Sequence, residues 1–198
     1  MGELQSAMDA LAAEDLEPIA GSGLLARLGQ LLMQQNRIAA EVIRTVRECE
    51  LTGAAECDGL KSMPSWLRGH GRLSAAEASR IVRAGRALEH LPAVAAGFAD
   101  GALTAGQVGV IAAIAEPDRL AAAAERGIDM TAIDDTLAAT AAAAPHATVQ
   151  QAVGHYLARL DADGAEPDPT EGRRLSIARH ADGSVTGRFD LDAVGGEK

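Results

Sequence analysis

Leu73-Ser74-Ala75-Ala76-Glu77-Ala78-Ser79-Arg80-Ile81 is answered thirty residues later by Leu103-Thr104-Ala105-Gly106-Gln107-Val108-Gly109-Val110-Ile111. Each copy runs Leu, hydroxyl, Ala, any residue, Glu or Gln, then Ile four positions on, which is the spacing of a capping box. The Ser or Thr oxygen accepts from the third helical N–H, and the Glu or Gln side chain reaches back to the N–H of the cap. Both copies therefore start helices, predicted over 74–90 and 104–115. Between them Leu88-Glu89-His90-Leu91-Pro92 ends the first, Pro92 opens a short helix over 92–99, and Asp100-Gly101 turns the chain. Two copies are too few for a solenoid.

Toward the N-terminus, Leu24, Leu28, Leu31, Leu32, Ala39, Val42, Ile43 and Val46 recur at helical spacings. They predict one long amphipathic helix from Leu24 to Glu50, stopped near Gly53. Its apolar stripe is expected to pack inside the domain, with pairing to another copy as the alternative. Ser62 is placed to cap a short helix with Pro64 in its first turn, and Trp66, the only tryptophan, is expected to be a core anchor. Toward the C-terminus, Glu116-Pro117 breaks the chain and helices are predicted over 119–126, 131–143 and 148–160. The segment 161–172 has the Asp, Glu, Pro and Gly composition of an acidic linker. Beyond it two runs alternate in period two around Asp182-Gly183, the signature of a β-hairpin. The fold class expected is mainly α: a multi-helix bundle with a small C-terminal β-hairpin. It is divided into an N-terminal segment 1–23, a helical domain 24–160, the linker, and a hairpin segment 173–198 expected to continue past Lys198.

Composition agrees. Of 198 residues 47% are hydrophobic and only 2% aromatic, so the core must be built from Ala, Leu, Val and Ile, which suits close helix packing better than a sheet. The net charge of −10 argues against a wholly basic nucleic-acid binder. From Lys61 to His90, however, six Lys and Arg stand against two Glu, a local balance of +4. Cys49 and Cys57 have no partnering pair, so no disulfide scaffold is expected and a reducing cytoplasm is the natural setting. Met1 to Ile19 has no basic leader, and the Ala-rich stretch 120–144 is broken by five charges, so no membrane partner is expected.

No complete catalytic or metal-binding constellation is present. No two of His70, His90, His146, His155 and His180 lie at i, i+4, and there is no Cys-x-x-Cys, so neither a metal nor another cofactor is expected. Asp161, Asp163, Glu166 and Asp168 lack the register of a calcium loop. Asp190 and Asp192 would share a strand face, but no base or metal ligand accompanies them. The remaining candidate is basic. Arg80, Arg83 and Arg86 recur every third residue on the helix over 74–90, with Arg72 just before its cap. Such a row can line phosphates; the alternative is a solvated face or salt bridges to the many acids.

The motif order Gly59-Leu60-Lys61-Ser62-Met63-Pro64-Ser65-Trp66-Leu67, the two capped repeats, Ala87-Leu88-Glu89-His90-Leu91-Pro92 and the late Arg173-Arg174-Leu175 with Asp182-Gly183-Ser184-Val185 resembles the domain of unknown function 222, the 13E12 repeat family of high-GC bacteria. In that family the helical domain commonly precedes an HNH nuclease domain, so the resemblance implies DNA as the eventual substrate. No His-Asn-His cluster occurs here, and no catalytic residue is carried over. The expected function is a non-catalytic helical module of an HNH-nuclease-type protein, contacting DNA through Arg72, Arg80, Arg83 and Arg86. The alternative is a protein-interaction or self-association module, a homo-oligomer formed through the Leu24 to Glu50 helix, with no nucleic acid bound.

Overall fold

The computed structural model describes residues 2–161 and the backbone of 174–179 and 185–190, and the protein is mainly helical. In chain order the helices are α1 (Gly2–Ala13), α2 (Gly21–Leu51), α3 (Ala54–Cys57), α4 (Met63–Gly69), α5 (Ala75–Leu88), α6 (Pro92–Ala99), α7 (Ala105–Ile111), α8 (Pro117–Glu125), α9 (Met130–Ala143) and α10 (His146–Leu160). A 3-10 turn, Ala112–Ala115, continues α7. α1 lies in the segment for which the sequence predicts no element, and α8 starts at Pro117 because proline is favoured in a first turn, where its missing N–H costs nothing. Contacts divide the chain into two units, Met1–Leu157 and Ala158–Lys198. In the second, the backbones of β1 (Arg174–Arg179) and β2 (Val185–Asp190) pair antiparallel, with Arg174 opposite Asp190. The turn expected at Asp182-Gly183 and nearly all of the acidic linker lie outside the described residues.

The two capped repeats differ in how far they are built. Thr104 forms the full box: its Oγ1 accepts from the Gln107 N–H at 3.2 Å, and Gln107 Oε1 accepts from the Thr104 N–H at 2.9 Å. At Ser74 only the first half forms, Oγ accepting from the Glu77 N–H at 3.2 Å. The physical difference is a second anchor. Gln107 is buried, and its Nε2 donates to the carbonyls of Ala141 (2.9 Å) and Ala144 (3.1 Å), satisfying the open end of α9. Glu77 has no such anchor. Ser62 sits at the cap position of α4 but spends its hydroxyl on Ser65 Oγ at 3.2 Å rather than on a helical N–H, so the predicted cap bond is not made.

The main core gathers Leu91, Val94 and Phe98 from the α6 region, Leu103, Val108, Ile111 and Ile114 from the second repeat, Leu137 and Ala141 from α9, and Val149 and Val153 from α10. A smaller cluster joins Val46, Ala55, Met63, Leu67, Ala78 and Val82, with Trp66 at its edge rather than at its centre. α6 begins at Pro92 after Leu91, a residue with no side-chain acceptor, so its first amides need a partner from elsewhere. Asp134 of α9 supplies it. This carboxylate is 1% exposed; Oδ2 accepts from the Ala93 N–H at 2.6 Å and Oδ1 from the Val94 N–H at 3.1 Å. The cap of one helix thus comes from another forty residues away.

α2 departs furthest from expectation. Of its 31 residues only Ile43 and Val46 are buried, so the apolar stripe does not pack within the domain over the first two thirds of the helix. Length is the reason. At 1.5 Å per residue α2 is about 46 Å long, while α5, its main neighbour, is about 21 Å. The helix is pinned at mid-length by the turn after α6: Asn36 Nδ2 donates to the Gly101 carbonyl at 3.0 Å, and a Cβ on Gly101 would meet the Met33 carbonyl oxygen at 2.6 Å. Gly101 also has φ +85°, a conformation that glycine alone adopts cheaply. Among the described residues no helix is long and apolar enough to cross a membrane.

Candidate functional site

The four arginines of the basic stretch do not share one environment. Steps of three residues turn about −60° each on an α-helix, so Arg80, Arg83 and Arg86 sweep about 120° of the α5 circumference. Each meets a different element. The Arg80 stem lies against Gly109 of α7, where an added Cβ would come 3.4 Å from its Cδ. Arg83 faces Glu116 at 4.0 Å with its side chain 57% exposed. Arg86 is held by Glu50 of α2, its Nε donating to both carboxylate oxygens at 3.1 and 3.0 Å. Arg72, in the turn before α5, is exposed and has φ +56°. Neither Arg72 nor Arg80 makes an ion pair among the described residues.

Glu50 belongs to a chain of charges that joins α2 to α5. Arg47 donates from Nη1 to Glu50 Oε2 at 2.7 Å, and from Nε and Nη2 to the two oxygens of Glu89 at 2.9 and 2.8 Å. Hydrogen bonding from Arg86, and secondarily from Arg47, holds the Glu50 carboxyl below its ordinary range, and the Arg47 fork does the same for Glu89. The guanidinium groups of Arg47 and Arg86 are raised in return, chiefly by those same bonds to Glu89 and Glu50. A groove of about 760 Å³ runs over this network. In it Arg47, Arg83 and Arg86 face Glu50, Glu89 and Glu116, three cations against three anions. That balance cross-links two helices and leaves the groove without the cationic excess that draws phosphate.

Toward its N-terminus, beyond the reach of the core helices, α2 is apolar and open. Leu25 is 71% exposed, Leu28 and Leu32 50%, Ile38 45% and Val42 44%, with Leu24 and Leu31 close behind. α1 touches the edge of this stretch through the Arg27 Nη2 bond to the Leu11 carbonyl at 3.3 Å, and Glu14, just past its end, pairs with the same Arg27. It buries no residue of its own. The sequence marks the stripe by its spacing but has no signal that the domain stops short of covering it.

Other candidate chemistry is sparse. Among the described residues no group of three or more His, Cys, Asp or Glu side chains is placed to hold a metal. His70 stacks on Trp66 with ring centroids 5.0 Å apart, and Trp66 Nε1 donates to Asp58 Oδ2 at 2.8 Å, an exposed cluster that ties α4 to the turn before it. Asp190 is described only as backbone, and Asp192 lies outside the described residues.

Fold and surface together define an α-helical module. Residues 25–197 match the family described as domain of unknown function (DUF222), and the chain belongs to it. No curated protein and no solved structure matches the chain.

Proposed function

We propose that the chain is a non-catalytic helical interaction module that binds a protein helix along the open flank of α2. The observation that carries this reading is the run of exposed Leu24, Leu25, Leu28, Leu31, Leu32, Ile38 and Val42 along one helix, broken by Gln35 alone. Single exposed Leu residues are ordinary, but a contiguous apolar stripe of this extent marks an interaction site. Covering half of a Leu side chain is worth about 1 kcal/mol, so seven such residues contribute about 7 kcal/mol, of the same order as the freedom lost on association. The test is a photo-crosslinking residue placed at Leu28 or Leu31, or at Gln30 on another face, in expressing cells. Protein adducts identified at 28 and 31 but not at 30 support the reading; adducts at none, or equally at all, overturn it.

A second reading keeps DNA as a partner, in line with the HNH nuclease association that the family resemblance implies. What favours it is the exposure of Arg72, Arg80 and Arg83; Arg86, spent on Glu50, adds little. Salt-dependent retention of the purified chain on DNA, lost in the Arg72→Ala/Arg80→Ala/Arg83→Ala variant and kept in Arg86→Ala, is the expected result. No retention by the unaltered chain at low salt rules it out. The terminal β-hairpin belongs with these proposals: its support is the period-two alternation and the backbone pairing of β1 with β2.

A further inference from the structure

We infer that the occupant of the α2 flank is a second copy of this chain, seated antiparallel about a two-fold axis near Gln34; this rests on the interaction reading above and names its partner. Along α2 the positions 24, 28, 31, 35, 38 and 42 are separated by alternating steps of four and three, the seam of a heptad repeat. They are Leu24, Leu28, Leu31, Gln35, Ile38 and Val42, and all six are exposed. The seam therefore has the pattern that packs knobs into holes on a like helix. It lies on a flank that the chain's own core does not reach.

Orientation follows from the rows on either side of the seam. One row is Leu25, Leu32 and Ala39; the other is Arg27, Gln34 and Glu41. A parallel pair would set each row against the opposite one, placing Arg27 and Glu41 beside apolar side chains. An antiparallel pair sets each row against its own kind. Arg27 and Glu41 stand seven residues to either side of Gln34, so a two-fold axis near it sets Arg27 of one copy level with Glu41 of the other. Each already has a partner in its own chain, Glu14 for Arg27 and Arg44 for Glu41, so this charged row accepts the antiparallel arrangement and the matching of the apolar rows sets it. The seam pairs centre one position away, on Met33, where Leu24 meets Val42 of the second copy and Leu28 meets Ile38; in the row on the other side of the seam Leu32 lies beside its own counterpart. The surface removed is roughly 1,000 Å², the lower bound for a stable interface. Gln35, the one polar residue in the seam, lies beside Leu31 of the second copy; such a residue lowers affinity and fixes register.

The test uses the full chain. Sedimentation should show a concentration-dependent species of twice the 20.3 kDa chain mass. Leu28→Glu/Leu31→Glu should weaken it at least a hundred-fold, while Gln30→Glu leaves it unchanged. Both seam side chains are already exposed, so the helical circular dichroism of the variants should match that of the parent. For orientation, Leu24→Cys/Val42→Cys in a Cys49→Ser/Cys57→Ser background should form a disulfide-linked dimer on mild oxidation, and Leu31→Cys alone should not. Crosslinking by Leu31→Cys, or by native Cys49 in a Cys57→Ser chain, would mean a parallel pair and overturn the antiparallel arrangement. A concentration-independent monomer would overturn the second copy as partner. If cellular adducts at Leu28 and Leu31 then identify a different protein, the interaction reading survives without this one; if no adducts form either, both fall.

Discussion

Replacing Asp134 by Ala removes one side chain of α9 and unsettles the start of α6. The carboxylate is buried and accepts two amide protons, from Ala93 and Val94, at the end of a helix where the backbone dipole favours negative charge. Hydrogen bonds to a charged group contribute about 1.5–3 kcal/mol each, and orphaning a buried N–H costs about 1–3 kcal/mol. Part of that is recovered if water reaches the site, so the net expectation is about 3–4 kcal/mol. For a domain of this size that corresponds to a fall in Tm of roughly 8–14 °C. The internal control is Asp129, the exposed cap of α9, which makes the same kind of bonds to Thr131 (3.0 Å) and Ala132 (3.3 Å). Asp129→Ala should cost only about 1 kcal/mol. Asp134→Asn, which keeps one acceptor oxygen, should fall between the two. Urea unfolding followed at 222 nm gives all three from Cm at constant m. If Asp134→Ala costs no more than Asp129→Ala, burial of the cap is not what gives it weight, and the account of how α6 is started is wrong.

Gln107→Ala strips both the capping box and the two carbonyl partners at the end of α9, so urea unfolding should register about 2–3 kcal/mol, against about 1 kcal/mol for Thr104→Ala. Gly101→Ala should cost at least about 2 kcal/mol, because the left-handed φ and the 2.6 Å approach to Met33 act together; Gly127→Ala, with φ +63° and open space around it, should cost about 1 kcal/mol by the same measurement. Glu50 and Glu89 are held below the ordinary carboxylate range, so the unfolded chain binds more protons than the folded one as acid is added. Their contribution is therefore present above the ordinary carboxylate pKa and is lost as pH falls through the depressed folded values. A plot of Cm against pH should fall less steeply over that window in Glu50→Gln than in the parent; parallel curves would show that the network does not couple protonation to folding.

Much of the fold was legible because it is local. Capping residues, Pro92 and Pro117, and the 3.6-residue recurrence of Leu and Val act over a few residues, so α5, α6, α7 and α9 appear near their predicted places. The half-built box at Ser74 and the diverted hydroxyl of Ser62 show the limit of that logic. The local donors and acceptors match in both cases, yet at Ser62 the Ser65 hydroxyl takes the bond, and at Ser74 Glu77 lacks the distant carbonyls that anchor Gln107. The long-range partners were not legible at all. Asp134 reads as one of two adjacent acids in an Ala-rich helix, and Glu50 as one of several acids on α2, until packing brings them to Ala93 and Arg86.

For the basic row that opened the functional question, sequence determined the presence and spacing of Arg72, Arg80, Arg83 and Arg86, since charge count and helical period follow from residue order alone. Only the tertiary structure decided which of them are spent, because an ion pair depends on what stands opposite in space: Glu50 takes Arg86, Glu116 draws Arg83, and Arg72 and Arg80 are left outward. The α2 stripe divides in the same way. Its period came from the order of residues; its exposure came from the packing of a helix about 46 Å long against neighbours too short to cover it.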